Sequence, residues 1–241
     1  PKTPRQTPPV PFGTLGNTIA RGFDQLGWHW WPSDSAINTR DYGGRPGCNN
    51  CGPCDVGCPT QARASADVTY WPKAIANGAI LKTGARVREI TLSSDGLADG
   101  VVYYGRDGEI FEQKARSIVL ACNGVGTPRL LLNSKSGLFP DGLANSSGLV
   151  GKNLMFHPVA ATVGIFEEDL EAYKGPIACS ITSYEHAETD TSRGFVRGYQ
   201  MQFTRQLGPV NTALGGPLER AIPWGDGHHK TFAARFGKTA P

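Results

Sequence analysis

The 241-residue sequence has no block of lysine and arginine; its 24 basic and 21 acidic residues leave a net charge of only +3. That excludes the concentrated basic footprint by which proteins hold nucleic acid. Long apolar runs are absent too. The longest, such as residues 117–122, fall far short of the roughly 18 residues a membrane span needs. Charged residues are only 19%, below the usual quarter, so part of the surface is expected to face a ligand or further protein. Methionine occurs twice, at Met155 and Met201. The opening residues 1–11 have no initiator Met and neither the basic nor the apolar region of a secretory signal. Residues 236–241 form no recognisable tail, so the sequence reads as an internal piece of a longer protein. What is present is a 39% hydrophobic and 9% aromatic content, enough for a packed core and against wholesale disorder. The 31 Gly and 18 Pro make the chain rich in loops.

Periodicity predicts a helix over 16–27, with Ile19, Phe23 and Leu26 on one face and Gly27 as a left-handed C-cap. A second helix is expected over 67–77, with Pro72 tolerated only in its first turn. Strands are expected over 79–82, 85–92 and 100–104. Asp107-Gly108 signals a hairpin turn into a strand from Glu109. Residues 116–122 carry the apolar run Ile118-Val-Leu-Ala-Cys122, as in a strand buried on both faces of a parallel sheet. A Gly turn follows, then a helix with Thr127 as N-cap and Pro128 at its first position. Further strands are expected over 160–166, 177–182 and 198–203, with a boundary near Pro158.

The most informative stretch is Cys48-Asn-Asn-Cys51-Gly-Pro-Cys54-Asp-Val-Gly-Cys58-Pro59. Its C-x2-C-x2-C-x3-C-P spacing reproduces the bacterial iron–sulfur run. A Gly/Pro-rich loop lets several thiolates turn inward around one inorganic core, with backbone N–H groups tuning it. In two-cluster ferredoxins the fourth Cys serves the other cluster, yet no second run occurs here, and Cys122 and Cys179 stand isolated. A three-iron cluster on three Cys, or a four-iron cluster with an unusual fourth ligand, both remain open. Zinc sites separate their Cys pairs more widely, disulfides between such close neighbours would close tiny loops to little benefit, and the plainest alternative is a set of unligated thiols.

In order, Gly78-Ala-Ile-Leu-Lys-Thr-Gly-Ala-Arg-Val87, Ile118-Val-Leu-Ala-Cys-Asn-Gly-Val-Gly-Thr-Pro-Arg-Leu-Leu-Leu132 and Val150-Gly-Lys-Asn-Leu154 resemble the glucose–methanol–choline (GMC) oxidoreductase family. The likeness covers residues 12–158 well and the rest weakly. It departs from the family's second signature at Asn123, where Gly or Ser is usual, and by one extra residue before Gly137. The Cys-rich loop is similar to the branch of bacterial sugar and polyol dehydrogenases with an iron–sulfur cluster. There, Cys48, Cys54 and Cys58 would hold a three-iron cluster and Cys51 would be a bystander.

The resemblance implies a mixed α/β (α+β) fold: part of a Rossmann-like FAD/NAD(P)-binding domain with a β-meander, then part of an antiparallel-sheet substrate domain. The corresponding segments are 1–60 as linker with the Cys-rich loop, 61–158 for the FAD-binding part and 159–241 for the substrate part. By the same resemblance, the Val87 backbone would contact the FAD adenine, and Ala121 and Cys122 would lie beside the cofactor. The G-x-G-x-x-G fingerprint that seats a pyrophosphate is absent. The family's catalytic His falls in a stretch this sequence does not contain, so no residue here is assigned as catalytic. His29 is expected to pack in the Trp28–Trp31 patch, His157 to be hydrogen-bonded, and His228 and His229 to sit in a solvated loop. The implied activity is FAD-dependent oxidation of an alcohol, polyol or sugar, with electrons passed to an acceptor protein or quinone. The alternative is a non-catalytic iron–sulfur electron carrier or metal-stabilised binding module.

Overall fold

A computed structural model describes residues 4–54, 56–176, 180–206, 208–215 and 222–240. By internal contacts the chain divides into two units, Pro1–Ala76 with Ala160–Pro241, and Asn77–Val159.

In the first unit, helix α1 (Gly13–Leu26) ends at Gly27, whose φ of 68° is the left-handed C-cap the sequence signalled. Of the expected inward face, Phe23 is buried and Ile19 packs, partly buried, against the core. Leu15, Ala20 and Phe23 go inward, whereas Leu26 is 60% exposed. Leu15 packs with Leu170, Ala172 and Ala240, and Phe23 with Ala20 and Ile181. Strand β1 (Trp31–Pro32) joins β6 (Ile181–Ser183) and β7 (Met201–Phe203) in an antiparallel sheet. The short strands β5 (Gly164–Ile165) and β8 (Thr239–Ala240) pair with each other. Helices α4 (Pro209–Leu214) and α5 (Asp226–Arg235) complete the unit. Helix α2 (Ala66–Ala76) follows the Cys-rich loop and buries no residue.

In the second unit, β2 (Arg86–Leu92), β3 (Ala98–Tyr104) and β4 (Ile110–Lys114) form the expected meander, all antiparallel. The β3–β4 turn uses Gly108 at φ 89°. Helix α3 (Asn123–Asn133) packs on β2, and the core there is Ile90, Tyr103 and Leu130. Just past the helix, Ser134 Oγ donates to the Leu130 carbonyl at 2.7 Å and accepts the Ile90 N–H at 2.9 Å, joining helix to sheet. Among the described residues no helix is long and apolar enough to cross a membrane.

The α/β composition therefore holds, but several elements differ from the sequence reading. Residues 79–82 pair with nothing as a strand, and Ile80 is 92% exposed. The apolar run over 116–122 forms no strand either, and Val119 is 88% exposed. A parallel strand needs neighbours to take its backbone bonds, and none among the described residues lies alongside. Pro72 sits in the second turn of α2, beyond the first-turn position that spares the ladder. The strands expected over 160–166 and 198–203 shorten to β5 and β7. Of the one expected over 177–182, residues 177–179 lie outside the described residues, among them Cys179, and β6 starts at Ile181.

Candidate functional site

The Cys-rich loop is held by a neck. Tyr42 and Arg45 exchange backbone bonds at 3.0 and 3.2 Å across Gly43 and Gly44, at φ 60° and 77°. That is the two-residue turn requiring positive φ at both centres, which Gly-Gly supplies without strain. The buried Asn38 ties this turn to both limbs of the loop. Its N–H donates to Ala62 O at 2.9 Å, and its carbonyl accepts from the Cys48 N–H at 2.7 Å. Its Nδ2 donates to Tyr42 O at 2.9 Å. Arg45 Nη1 donates to Gln61 O at 2.8 Å and to Ala62 O at 3.2 Å. Residues before Cys48 and after Cys58 are thus joined, so the loop ends are fixed before anything binds between them.

Cys48, Cys51, Cys54 and Cys58 all line one small cavity, together with Ile37 and Arg63. None of the four is in a disulfide; Cys51 is exposed and the other three are half-buried. Backbone N–H groups point at two sulfurs, Asn50 to Cys48 Sγ at 3.4 Å and Arg63 to Cys58 Sγ at 3.3 Å. Burial alone would push the Cys58 thiol up. Hydrogen bonds from the Arg63 backbone, the Thr60 side chain and the Thr60 and Ala62 backbones outweigh that and hold it below its ordinary value. Arg63 Nη1 also donates to the Cys54 carbonyl. Among the described residues no three His, Cys, Asp or Glu side chains converge as a ready-made metal site. Thiolates are the ligand type an iron–sulfur centre takes, and here four cysteines line one cavity, with amide N–H groups aimed at two of the sulfurs.

The three residues expected beside FAD all lie in the second unit. Val87 is exposed on β2, next to a register shift between Val87 and Glu89 that bends the strand there. Ala121 and Cys122 are exposed and lead directly into α3. The N-terminus of α3 is not built as the sequence suggested. Thr127 and Pro128 lie inside the helix, and Asn123 caps it, with Oδ1 accepting the Val125 and Gly126 N–H groups at 2.9 and 3.0 Å. Asn123 also takes φ 61°, a left-handed conformation that Asn tolerates better than most residues. This accounts for the departure from the family pattern at this position. Beside it, a Cβ built on Gly124 would meet nothing within 4 Å, so open space adjoins the helix start. Asn123→Ala should cost about 1–2 kcal/mol, from the lost cap and the strained φ. A shift of that size in the urea midpoint of the full-length protein is the measurement, and no change would refute the capping role.

The histidines do not assemble a site. His29 is exposed and pairs through Nδ1 with Glu185 at 2.9 Å, contrary to the expectation that it packs; the neighbouring Trp28 and Trp30 do the packing. His157 is exposed. His186 meets Trp28 edge to face, with ring centroids 4.8 Å apart. His228 lies on α5, its Nε2 2.9 Å from the Ala213 carbonyl, so the loop expected around it is a helix. The neck residues were missed by sequence reasoning, although the Gly43-Gly44 pair is itself a turn signal. Nothing in the sequence marked Arg205, buried at 4% exposure in the same unit as the Cys loop.

Comparison with known proteins bears on both regions. The GMC oxidoreductase family model matches residues 13–159. A 2-methyl-1,2-propanediol dehydrogenase of Mycolicibacterium austroafricanum is 44% identical over 232 residues, 95% of this chain and 42% of that protein. The fructose dehydrogenase large subunit of Gluconobacter japonicus is 35% identical over 66% of this chain and 30% of its own length. Paromamine 6'-oxidase of Streptomyces fradiae is 31% identical over 70% of this chain and 33% of its own length. The chain spans less than half the length of these relatives. Because the family match runs unbroken from α1 through the Cys-rich loop, the meander and α3, the chain belongs to the GMC oxidoreductase family.

Proposed function

We propose that this chain is part of an FAD-dependent dehydrogenase that oxidises the CH–OH group of a small alcohol, polyol or sugar and passes the electrons to a separate acceptor. The observation that carries the reading is the 44% identity to a diol dehydrogenase across 95% of the chain.

FAD is the cofactor of this family, and the second unit offers surfaces suited to it. The Val87 backbone would meet the adenine, and Ala121 and Cys122 would line the approach to α3. The open space at Gly124 lets a ligand come close to the backbone, which a side chain there would prevent. When bound, FAD supplies the acceptor for the hydride leaving the substrate carbon. This chain's own residues would bind and orient, and the alcohol proton would be taken by a residue elsewhere in the full-length enzyme.

Cys48, Cys54 and Cys58 would hold an iron–sulfur centre whose chemistry is one-electron transfer, with Cys51 outside the ligand set. Supporting this are the shared cavity, the N–H groups directed at Cys48 and Cys58, and the greater exposure of Cys51. The absorption spectrum of the full-length protein tests the whole reading. Flavin bands over a broad brown absorption, with alcohol-dependent reduction of a dye, are the expected outcome. Brown absorption without flavin would instead make it an electron carrier, and neither feature would end both readings.

A further inference from the structure

Among the described residues Arg205 is the only buried charged side chain. Its guanidinium donates to three backbone carbonyls, Lys174 O at 2.6 Å, Pro11 O at 2.7 Å and Phe12 O at 2.9 Å. Room for it is left by two glycines. A Cβ on Gly175 would stand 3.0 Å from its Cζ, and one on Gly13 would stand 3.3 Å from Nη1. No carboxylate among the described residues pairs with it. Carbonyl dipoles satisfy its donors but leave a full positive charge in a poorly solvated place, a costly arrangement unless an anion is near.

That anion is to be sought at the Cys-rich loop. The Lys174 carbonyl gripped by Arg205 belongs to a turn whose next residue, Gly175, donates its N–H to Asn50 O at 3.0 Å. Gly52 lies against the preceding residue, where a Cβ would come within 2.7 Å of Tyr173 O. The turn thus sits between Arg205 and the first half of the loop. Asn50 in turn donates its own N–H to Cys48 Sγ at 3.4 Å, so the turn gripped by Arg205 is joined through one residue to the first of the sulfurs.

We propose that Arg205 is a positioning residue and fixed counter-charge for the sulfur centre of Cys48, Cys54 and Cys58, and that it raises the reduction potential of that centre. The inference rests on the iron–sulfur reading above. A centre that takes up one electron gains one negative charge, and a fixed cation in a low-dielectric site favours that form over the oxidised one.

The test is a redox titration of the full-length protein, reduced stepwise with dithionite and reoxidised with ferricyanide, alongside its iron content. Arg205→Gln should keep its iron and titrate at a more negative midpoint, while Arg205→Lys, which retains the charge, should titrate near the wild type. Loss of iron in Arg205→Gln but not in Arg205→Lys would likewise support a counter-charge. Equal midpoints in all three iron-replete proteins would overturn the inference and leave the cluster reading standing. Loss of iron in both variants would overturn it in favour of a purely structural clamp. An iron-free wild type would bring down the cluster reading and this inference together.

Discussion

If the cysteine loop holds the proposed centre, replacing Cys48, Cys54 or Cys58 by serine in the full-length protein should abolish a brown chromophore, whereas Cys51→Ser should leave most of it in place. Each of the first three substitutions deletes a thiolate corner, and a hydroxyl does not replace a thiolate at a soft metal centre. Cys48 and Cys58 are half-buried, and their sulfurs accept backbone N–H bonds of the kind that stabilise a cluster thiolate. Cys51 is exposed, and only its backbone N–H is engaged, with Asn49 Oδ1 at 3.3 Å. Iron analysis and visible spectra of the four variants decide it. Equal loss in all four would make the site a four-cysteine one, and an unaltered spectrum throughout would show that the loop binds no chromophore.

On the proposed function, the full-length protein given an alcohol substrate should turn over fast on an artificial one-electron dye and slowly under air, with little hydrogen peroxide. Alcohol oxidation releases two electrons, and a reduced flavin that hands both to oxygen has no use for a one-electron relay. A relay is of value only where a protein or quinone acceptor waits at the surface. Cys54→Ser should therefore cut dye turnover sharply, while flavin content stays at the wild-type level. Rapid stoichiometric peroxide formation, the same in wild type and Cys54→Ser, would sink the idea. The surface charge around the loop does not select the acceptor by sign. Of the three nearby arginines, Arg45 and Arg63 are spent on backbone carbonyls within the loop and neck, and only Arg40 is exposed.

What was legible in the sequence is what local chemistry decides. The β2–β3–β4 meander follows from alternating residues around Asp107-Gly108, and Gly27 ends α1 because it alone tolerates the φ required there. The run over 116–122 was misread because apolar composition does not supply the neighbouring strands that make a strand. Thr127-Pro128 looked like a helix start by residue preference. The helix begins four residues earlier, because Asn123 both adopts a left-handed φ and offers a side-chain acceptor. In the candidate site, the cysteines and their spacing were readable, since the motif is contiguous. Asn38 and Arg205 were not, because each acts through carbonyls far along the chain, at Ala62 for the first and at Pro11 and Lys174 for the second.

The bonds that close the neck run from Asn38 and Arg45 to Cys48, Gln61 and Ala62, and so require nothing of residues 49–60. Within the stretch, ties to the surrounding scaffold run through the Asn50–Gly175 bond, the close seat of Gly52, and the bonds that Arg63 and Gln61 make to Cys54 and Cys58. Adding a few residues to a loop whose ends are already held raises its closure entropy only slightly. The stretch behaves as a cassette: a lineage can acquire, re-space or discard the sulfur ligands while the scaffold around them keeps its shape.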